Sequence, residues 1–256
     1  MAIDAAARKA KTILSKSGIP GVEYAINPYT GCEHACVYCY ATFMARYSGH
    51  DEPWGTFVDA KENAPELLQR ALRKTRPGRV MLSSVTDCYQ PAEAKWRLTR
   101  RCIEILLSHG VGVDILTKSP LVLRDIDLFT GAAPGMVEVG MTVTTDDDNI
   151  RAAFEPHAPA IASRVEALRR LHESGVRTYA FVGPILPMDP EALARMLAGA
   201  VDWVLVDRMN YAGKSAGVYK RLGLERWLIK AVMDDAGRRF GAELKKLSKA
   251  QQDFCF

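Results

Sequence analysis

The sequence lacks any stretch of about 18 consecutive apolar residues in its 256 residues, which excludes a helical membrane span. It has no internal repeat with a fixed period of about 20–50 residues and no low-complexity tract, which argues against solenoids and arrays. Residues 1–18 have an amphipathic look but no apolar signal core, so the expected location is the cytoplasm. Neither sign of charge dominates. A net charge of +4 permits contact with nucleic acid without arguing for it. Cysteine is scarce and unevenly spread, at positions 32, 36, 39, 88, 102 and 255. A disulfide framework spreads its cysteines more evenly. Three crowded together read instead as a metal site in a reducing compartment.

The chain is rich in apolar residues, at 48%. A chain of this length with that content can bury a sizeable core without disulfides. Apolar β-like runs alternate with amphipathic stretches. Strands are expected at 22–29, 79–85, 111–117, 137–144, 176–182 and 201–206. Helices are expected at 64–73, 93–108, 121–129, 161–173 and 190–198, with Gly110 ending the second of these. Six strands alternating with helices make a parallel sheet, because parallel neighbours need a crossover. The pattern fits a six-unit partial barrel or a doubly wound sheet. Further helices are expected at 222–230 and 238–247. With no linker visible, the chain reads as one domain: an N-terminal segment 1–21, a main body 22–207, and a helical extension 208–256.

The cysteine loop carries the chemistry. Its sequence, NPYTGCEHACVYCY over 27–40, spaces Cys32, Cys36 and Cys39 as C-x3-C-x2-C. Thiolates suit iron–sulfur clusters and zinc. Most [4Fe–4S] clusters take four cysteines, so three leave one iron open, as catalytic metal sites do. The alternative is structural zinc with His34 as fourth ligand. A C-x-H pair is geometrically awkward there, and no second C-x2-C pair completes such a site.

Cys32, Cys36, Tyr38 and Cys39 match the C-x3-C-x-aromatic-C motif of radical SAM proteins. Five segments resemble the spore photoproduct lyase-like branch: NPYTGCEHACVYCYA, SSVTDCYQPAE (83–93), LTRRCIEIL (98–106), ILTKSPLVLRDIDL (115–128) and VTTDDDNIRAAFEPHAPA (143–160). The similarity runs from about residue 22 to about 207. It implies an α/β fold, a partial (β/α)6 TIM-like barrel with a C-terminal helical extension. It also implies a [4Fe–4S] cluster on Cys32, Cys36 and Cys39. The reduced cluster cleaves S-adenosylmethionine (SAM) into methionine and a 5′-deoxyadenosyl radical, which abstracts hydrogen from a substrate. A reductant such as flavodoxin or ferredoxin is the implied partner.

The same resemblance assigns residues at strand ends to SAM. Thr86 and Asp87 end the second strand, and the hydroxyl at Thr86 is expected at the methionine end. Lys118 resembles a lysine that pairs with the methionine carboxylate, a role suited to a point charge with several donors. Thr142 and Thr144 end the fourth strand and share a face, with one of them expected on the carboxylate or ribose. Tyr38 either packs on or hydrogen-bonds the adenine, or it seals the cluster loop. Gly183, Pro184 and Pro187 resemble an adenine-side turn, and Asn210 and Tyr211 are expected on the substrate side. Tyr89, Gln90 and Glu93 read equally as structural residues that turn strand into helix. Asp146, Asp147, Asp148 and Asn149 read as a helix start rather than a metal loop.

One departure bears on substrate. Spore photoproduct lyases place a hydrogen-donating cysteine where this chain has Ser84, and an O–H bond is too strong for that role. Cys88 is the nearest thiol and the candidate catalytic hydrogen donor, with a strand-end thiol of no function as its alternative. Cys102 reads as core and Cys255 as a tail residue. The departure, with no basic, aromatic-rich hairpin evident, weakens a DNA-lesion lyase reading but leaves it open. The third reading is an iron–sulfur electron carrier or non-catalytic SAM binder, against which Lys118 and the strand-end hydroxyls count.

Overall fold

Alternating apolar and amphipathic runs fold here into α/β structure with mostly parallel strands. The computed structural model describes residues 3–19, 21–210 and 212–255, with backbone alone at 251, 254 and 255. Its contacts divide the chain into two compact units. One comprises Met1–Ala35 with Ala41–Val139, and the other Cys36–Tyr40 with Gly140–Phe256.

The first unit contains β1 (Ala6–Arg8), β2 (Leu14–Lys16), β3 (Tyr24–Ile26), β4 (Tyr29–Thr30), β5 (Asp59–Lys61), α1 (Ala64–Leu72), β6 (Arg79–Leu82), α2 (Ala92–Trp96), α3 (Leu98–Ser108), β7 (Gly112–Thr117) and α4 (Ile126–Thr130). β3, β6 and β7 pair in parallel, with Tyr24 opposite Val80 and Val80 opposite Val113. β2 joins antiparallel to β3. A separate sheet holds β1, β5 and β4. The expected strand over 22–29 is therefore two strands in two sheets. Pro28 stands between them and has no N–H for a ladder. The expected helix over 93–108 is also two. Arg97 takes a left-handed φ of 52°, and the Glu93 carboxylate then accepts from the N–H groups of Thr99 (2.9 Å) and Arg100 (3.3 Å), capping α3. Over 121–129 the chain forms a 3-10 turn, Pro120–Asp125, before α4.

β8 (Val137–Thr142) begins in the first unit and ends in the second. The second unit continues with α5 (Asp148–Phe154), α6 (Ile161–Glu173), β9 (Arg177–Val182), α7 (Pro190–Leu197), β10 (Trp203–Asp207), α8 (Ala212–Leu222), α9 (Lys230–Leu247) and β11 (Gln251–Cys255). Acidic caps start two of these helices. Asp147 accepts from Asn149 N at 2.7 Å and Asp189 from Ala192 N at 3.0 Å, so the acidic run at 146–149 is a helix start. β10 pairs in parallel with β9 and with β11.

The C-terminal region differs from expectation in two places. No α-helix covers 222–230; a turn and a short 3-10 segment lie between α8 and α9. α8 was not visible in the sequence because Ala212, Gly213, Ala216 and Gly217 dilute its apolar stripe, which buries only Ser215, Val218 and Tyr219. Cys255 lies in β11, opposite Asp207. Among the described residues no helix is long and apolar enough to cross a membrane.

Candidate cofactor site

The cysteine loop leaves β4 and winds tightly. Gly31 has φ +88°, and a Cβ there would collide with the Phe57 carbonyl oxygen, so only glycine fits. Ala35 is also left-handed, at φ 52°. A Cβ on Gly55 would meet Ala35 Cβ at 2.5 Å, so the glycine at 55 makes room for that kink. Cys32 is 9% exposed, and Cys36 and Cys39 are half-buried.

In the first unit, residues 86–92 grip the loop. Thr86 Oγ1 donates to Gly31 O at 2.5 Å and accepts from Gln90 Nε2 at 3.0 Å. Asp87 accepts from Tyr89 N (2.9 Å), Thr117 Oγ1 (2.6 Å) and Lys118 N (2.8 Å). His34 Nδ1 lies 3.3 Å from Asp87 Oδ2. Burial acts to raise the Asp87 pKa, but His34 and these donors outweigh it and hold the carboxyl well below the usual range. The polar atoms of Thr86 and Asp87, expected on SAM, are thus engaged with the chain itself. Lys118 is half-buried beside them. Tyr89, Gln90 and Glu93 are fully buried, and Tyr89 donates to Asp125 at 3.0 Å. This is the structural alternative drawn for the three from sequence. Cys88 is fully buried too. Burial, then the Asp87 and Glu93 charges, pushes its thiol pKa up. Cys102 is a core residue of α3, as expected.

In the second unit, Cys36–Tyr40 is anchored through Tyr38, Val37 and Cys39. The Tyr38 hydroxyl donates to Glu155 in a very short hydrogen bond. Thr144 Oγ1 donates to the same carboxylate at 3.0 Å, and Arg164 Nη2 pairs with it at 2.5 Å. Glu155 and Arg164 are both completely buried. Arg164 also donates to Thr142 O (3.0 Å) and Pro159 O (2.8 Å). Burial and then the Glu155 charge push the Tyr38 hydroxyl pKa up. Val37 N donates to Phe154 O at 2.9 Å, and Lys214 Nζ to Cys39 O at 2.8 Å. Of the expected substrate-side pair, Asn210 donates to Asp207 at 3.0 Å, and Tyr211 lies outside the described residues. Pro187 O accepts from Thr145 Oγ1 at 2.7 Å.

Sequence reasoning missed Glu33, Glu155, Arg164 and Lys214. The FEPHAP segment drew attention to 154–159, but nothing local shows that Glu155 meets Arg164 nine positions on.

The loop suits a thiolate-bound cluster. Its donor set is three soft sulfurs within eight residues. His34 Nδ1 faces Asp87, and its ring is 2% exposed. His34 Nε2 has no hydrogen-bond partner among the described residues. Such an atom fits a loop that a bound group completes. Among the described residues no three His, Cys, Asp or Glu side chains are gathered into a preassembled metal site.

Comparison with known proteins bears on this loop directly. The sequence model of the radical SAM superfamily matches residues 26–205. An uncharacterized protein of Methanocaldococcus jannaschii is 41% identical over 179 residues, which are 70% of this chain and 66% of the relative. The chain thus spans just under two thirds of that relative's length. Among solved structures, spore photoproduct lyase complexed with a dinucleoside spore photoproduct matches with a TM-score of 0.70 at 15% identity. The match covers 97% of this chain and 82% of the lyase. SuiB of Streptococcus suis, bound to its precursor peptide SuiA, matches with a TM-score of 0.59 at 12% identity, over 91% of this chain and 48% of SuiB. At such identities the likeness shows the fold: α/β, with a mostly parallel sheet, of the partial TIM-like barrel type expected from sequence.

Proposed function

The chain belongs to the radical SAM superfamily, with a spore photoproduct lyase-like fold, and on that premise we propose that it is a radical SAM enzyme. Cys32, Cys36 and Cys39 are its three cluster ligands. The observation that carries this is the three-thiol loop, with its C-x3-C-x2-C spacing, inside the matched segment. When bound, a [4Fe–4S] cluster supplies the electron that splits SAM into methionine and a 5′-deoxyadenosyl radical.

The chain's own residues hold and shape the loop. Thr86 and Asp87 act on the loop backbone and on His34. Tyr38 seals the loop through Glu155, and its ring is proposed to pack on the adenine. Lys118 is proposed for the methionine carboxylate and Thr142 for the carboxylate or ribose; Thr144 bonds Glu155, the partner of the Arg164 that holds Thr142 O. Flavodoxin or ferredoxin is the proposed reductant class. Anaerobic reconstitution with iron and sulfide, reduction, and addition of SAM should yield 5′-deoxyadenosine. Reconstituted protein that yields none favours an electron carrier or a non-catalytic SAM binder.

A second reading, lysis of a DNA photolesion, draws on the neighbour that holds a dinucleoside photoproduct. The neighbour that holds a peptide shares the fold as well, so fold does not select the substrate. Lesion-bearing oligonucleotides that neither bind nor alter SAM cleavage would remove this reading. Cys88 is its candidate hydrogen donor, and Cys88→Ser retaining full product turnover would remove that role.

A further inference from the structure

The first cluster ligand sits inside a hydrogen-bonded bracket. Gln90, completely buried, uses both ends of its amide on the two residues that flank Cys32. Its Oε1 accepts from Glu33 N at 2.9 Å. Its Nε2 donates to Gly31 O at 3.2 Å, and to Thr86 Oγ1 at 3.0 Å. Glu33 returns the contact. Its carboxylate, on a residue 6% exposed, accepts from Ala92 N at 2.8 Å. The Thr86 hydroxyl adds a second bond to Gly31 O. The peptide groups on either side of Cys32 are thus fixed by one neutral side chain and its two supports.

We infer that Gln90 is a positioning residue for the cluster: its amide holds residues 31–33 in the geometry that presents the Cys32 thiolate before metal arrives. The inference rests on the cluster reading above. Its physical basis is preorganisation, since a ligand held in place costs less to order on binding. Glutamine is chemically suited to the task. It supplies one acceptor and two donors from a single planar group, and Gly31 O, Glu33 N and Thr86 Oγ1 use both ends of it. Methionine matches its volume and offers neither end. Glu33 has a comparable conservative partner, because glutamine at 33 keeps an acceptor for Ala92 N.

The test compares Gln90→Met, Glu33→Ala and Glu33→Gln with the wild-type chain after anaerobic reconstitution. The readouts are iron per chain, the rate of iron loss to a chelator, and the electron paramagnetic resonance spectrum of the reduced protein. Groups that orient metal ligands typically change metal affinity by about 10–100-fold. Gln90→Met is therefore expected to lose iron at least about 10-fold faster and to shift the spectrum. Glu33→Ala should lie between it and the wild type, and Glu33→Gln should restore wild-type behaviour. Far-ultraviolet circular dichroism and the Tm of the apo chains report folding separately. If Gln90→Met fails to fold, the contrast between Glu33→Ala and Glu33→Gln decides. A lowered apo Tm with unchanged iron loss and spectrum in every folded variant overturns the inference and leaves the cluster reading intact. A wild-type chain that takes up no iron overturns the cluster reading and the inference with it.

Discussion

The two halves of the cysteine loop are held by different chemistry. Around Cys32 the grip is distributed: Gln90, Thr86 and Glu33 make several bonds to backbone groups. Each such bond contributes roughly 0.5–1.5 kcal/mol net. Around Cys36–Tyr40 two backbone groups are also held, Val37 N by Phe154 O and Cys39 O by Lys214, but the side-chain grip of Tyr38 rests on one carboxylate that Arg164 neutralises at full burial. A distributed grip weakens in steps as its members are removed. A buried ion pair fails at once when one partner goes, because the other is left charged and unpaired. The same loop is therefore tolerant at its start and brittle at its end.

Replacing a ligand should erase the contrast. Cys32→Ala and Cys36→Ala should each abolish cluster retention and 5′-deoxyadenosine formation, whichever half they lie in. Iron content and product analysis measure this, and a variant that keeps both would dismiss that cysteine as a ligand. Next in size, Arg164→Met should cost about 3–5 kcal/mol, read from denaturant unfolding, because Glu155 loses its counter-charge inside the core. A loss below about 1 kcal/mol would mean the second half is not brittle.

Acid should expose the first half. Asp87 titrates below its unfolded carboxylate value of about 4. Its stabilisation is complete above that value and fades as the pH falls below it. Thr117, Lys118 N, Tyr89 N and His34 are the groups that face it. The Tm of the wild type and of Asp87→Asn should differ at neutral pH and draw steadily closer as the pH falls below about 4. Parallel curves would assign the acid limb to other groups. The smallest effect belongs to Thr86→Val, expected to cost roughly 0.5–1.5 kcal/mol, since Gln90 still serves Gly31 O. A larger loss would show that the first half is no more forgiving than the second.

Much of this was legible in the sequence, for reasons that particular residues make clear. α6 falls at its expected limits because its apolar positions repeat at helical spacing without a competing breaker. The loop was readable because three cysteines crowded into eight residues are rarely anything but metal ligands. The break at Arg97 was hidden because it depends on Glu93 reaching forward to cap α3, a contact that periodicity does not encode. Glu155 and Arg164 were hidden for a related reason. Charged residues usually read as surface, and only their pairing makes burial tolerable. The strands end earlier than expected, at Leu82 and Thr142, so Thr86, Asp87 and Thr144 lie in the loops beyond them, and all three are committed within the chain. Spacing tells which residues come near a site and not which of their atoms are already taken.

β11 carries a practical consequence. Five residues near the chain's end lie along β10 from Trp203 to Asp207, so a whole ladder of β10 amides and carbonyls is covered by a very short piece of chain. Trimming the chain at about residue 250 would uncover that ladder and present it to any passing extended segment, including the bared β10 edge of another copy. Such a truncated chain is expected to self-associate in size-exclusion chromatography while keeping its cysteine loop intact. β11 is itself the edge of the sheet, so its effect is to move the open edge off β10 and onto a strand of five residues.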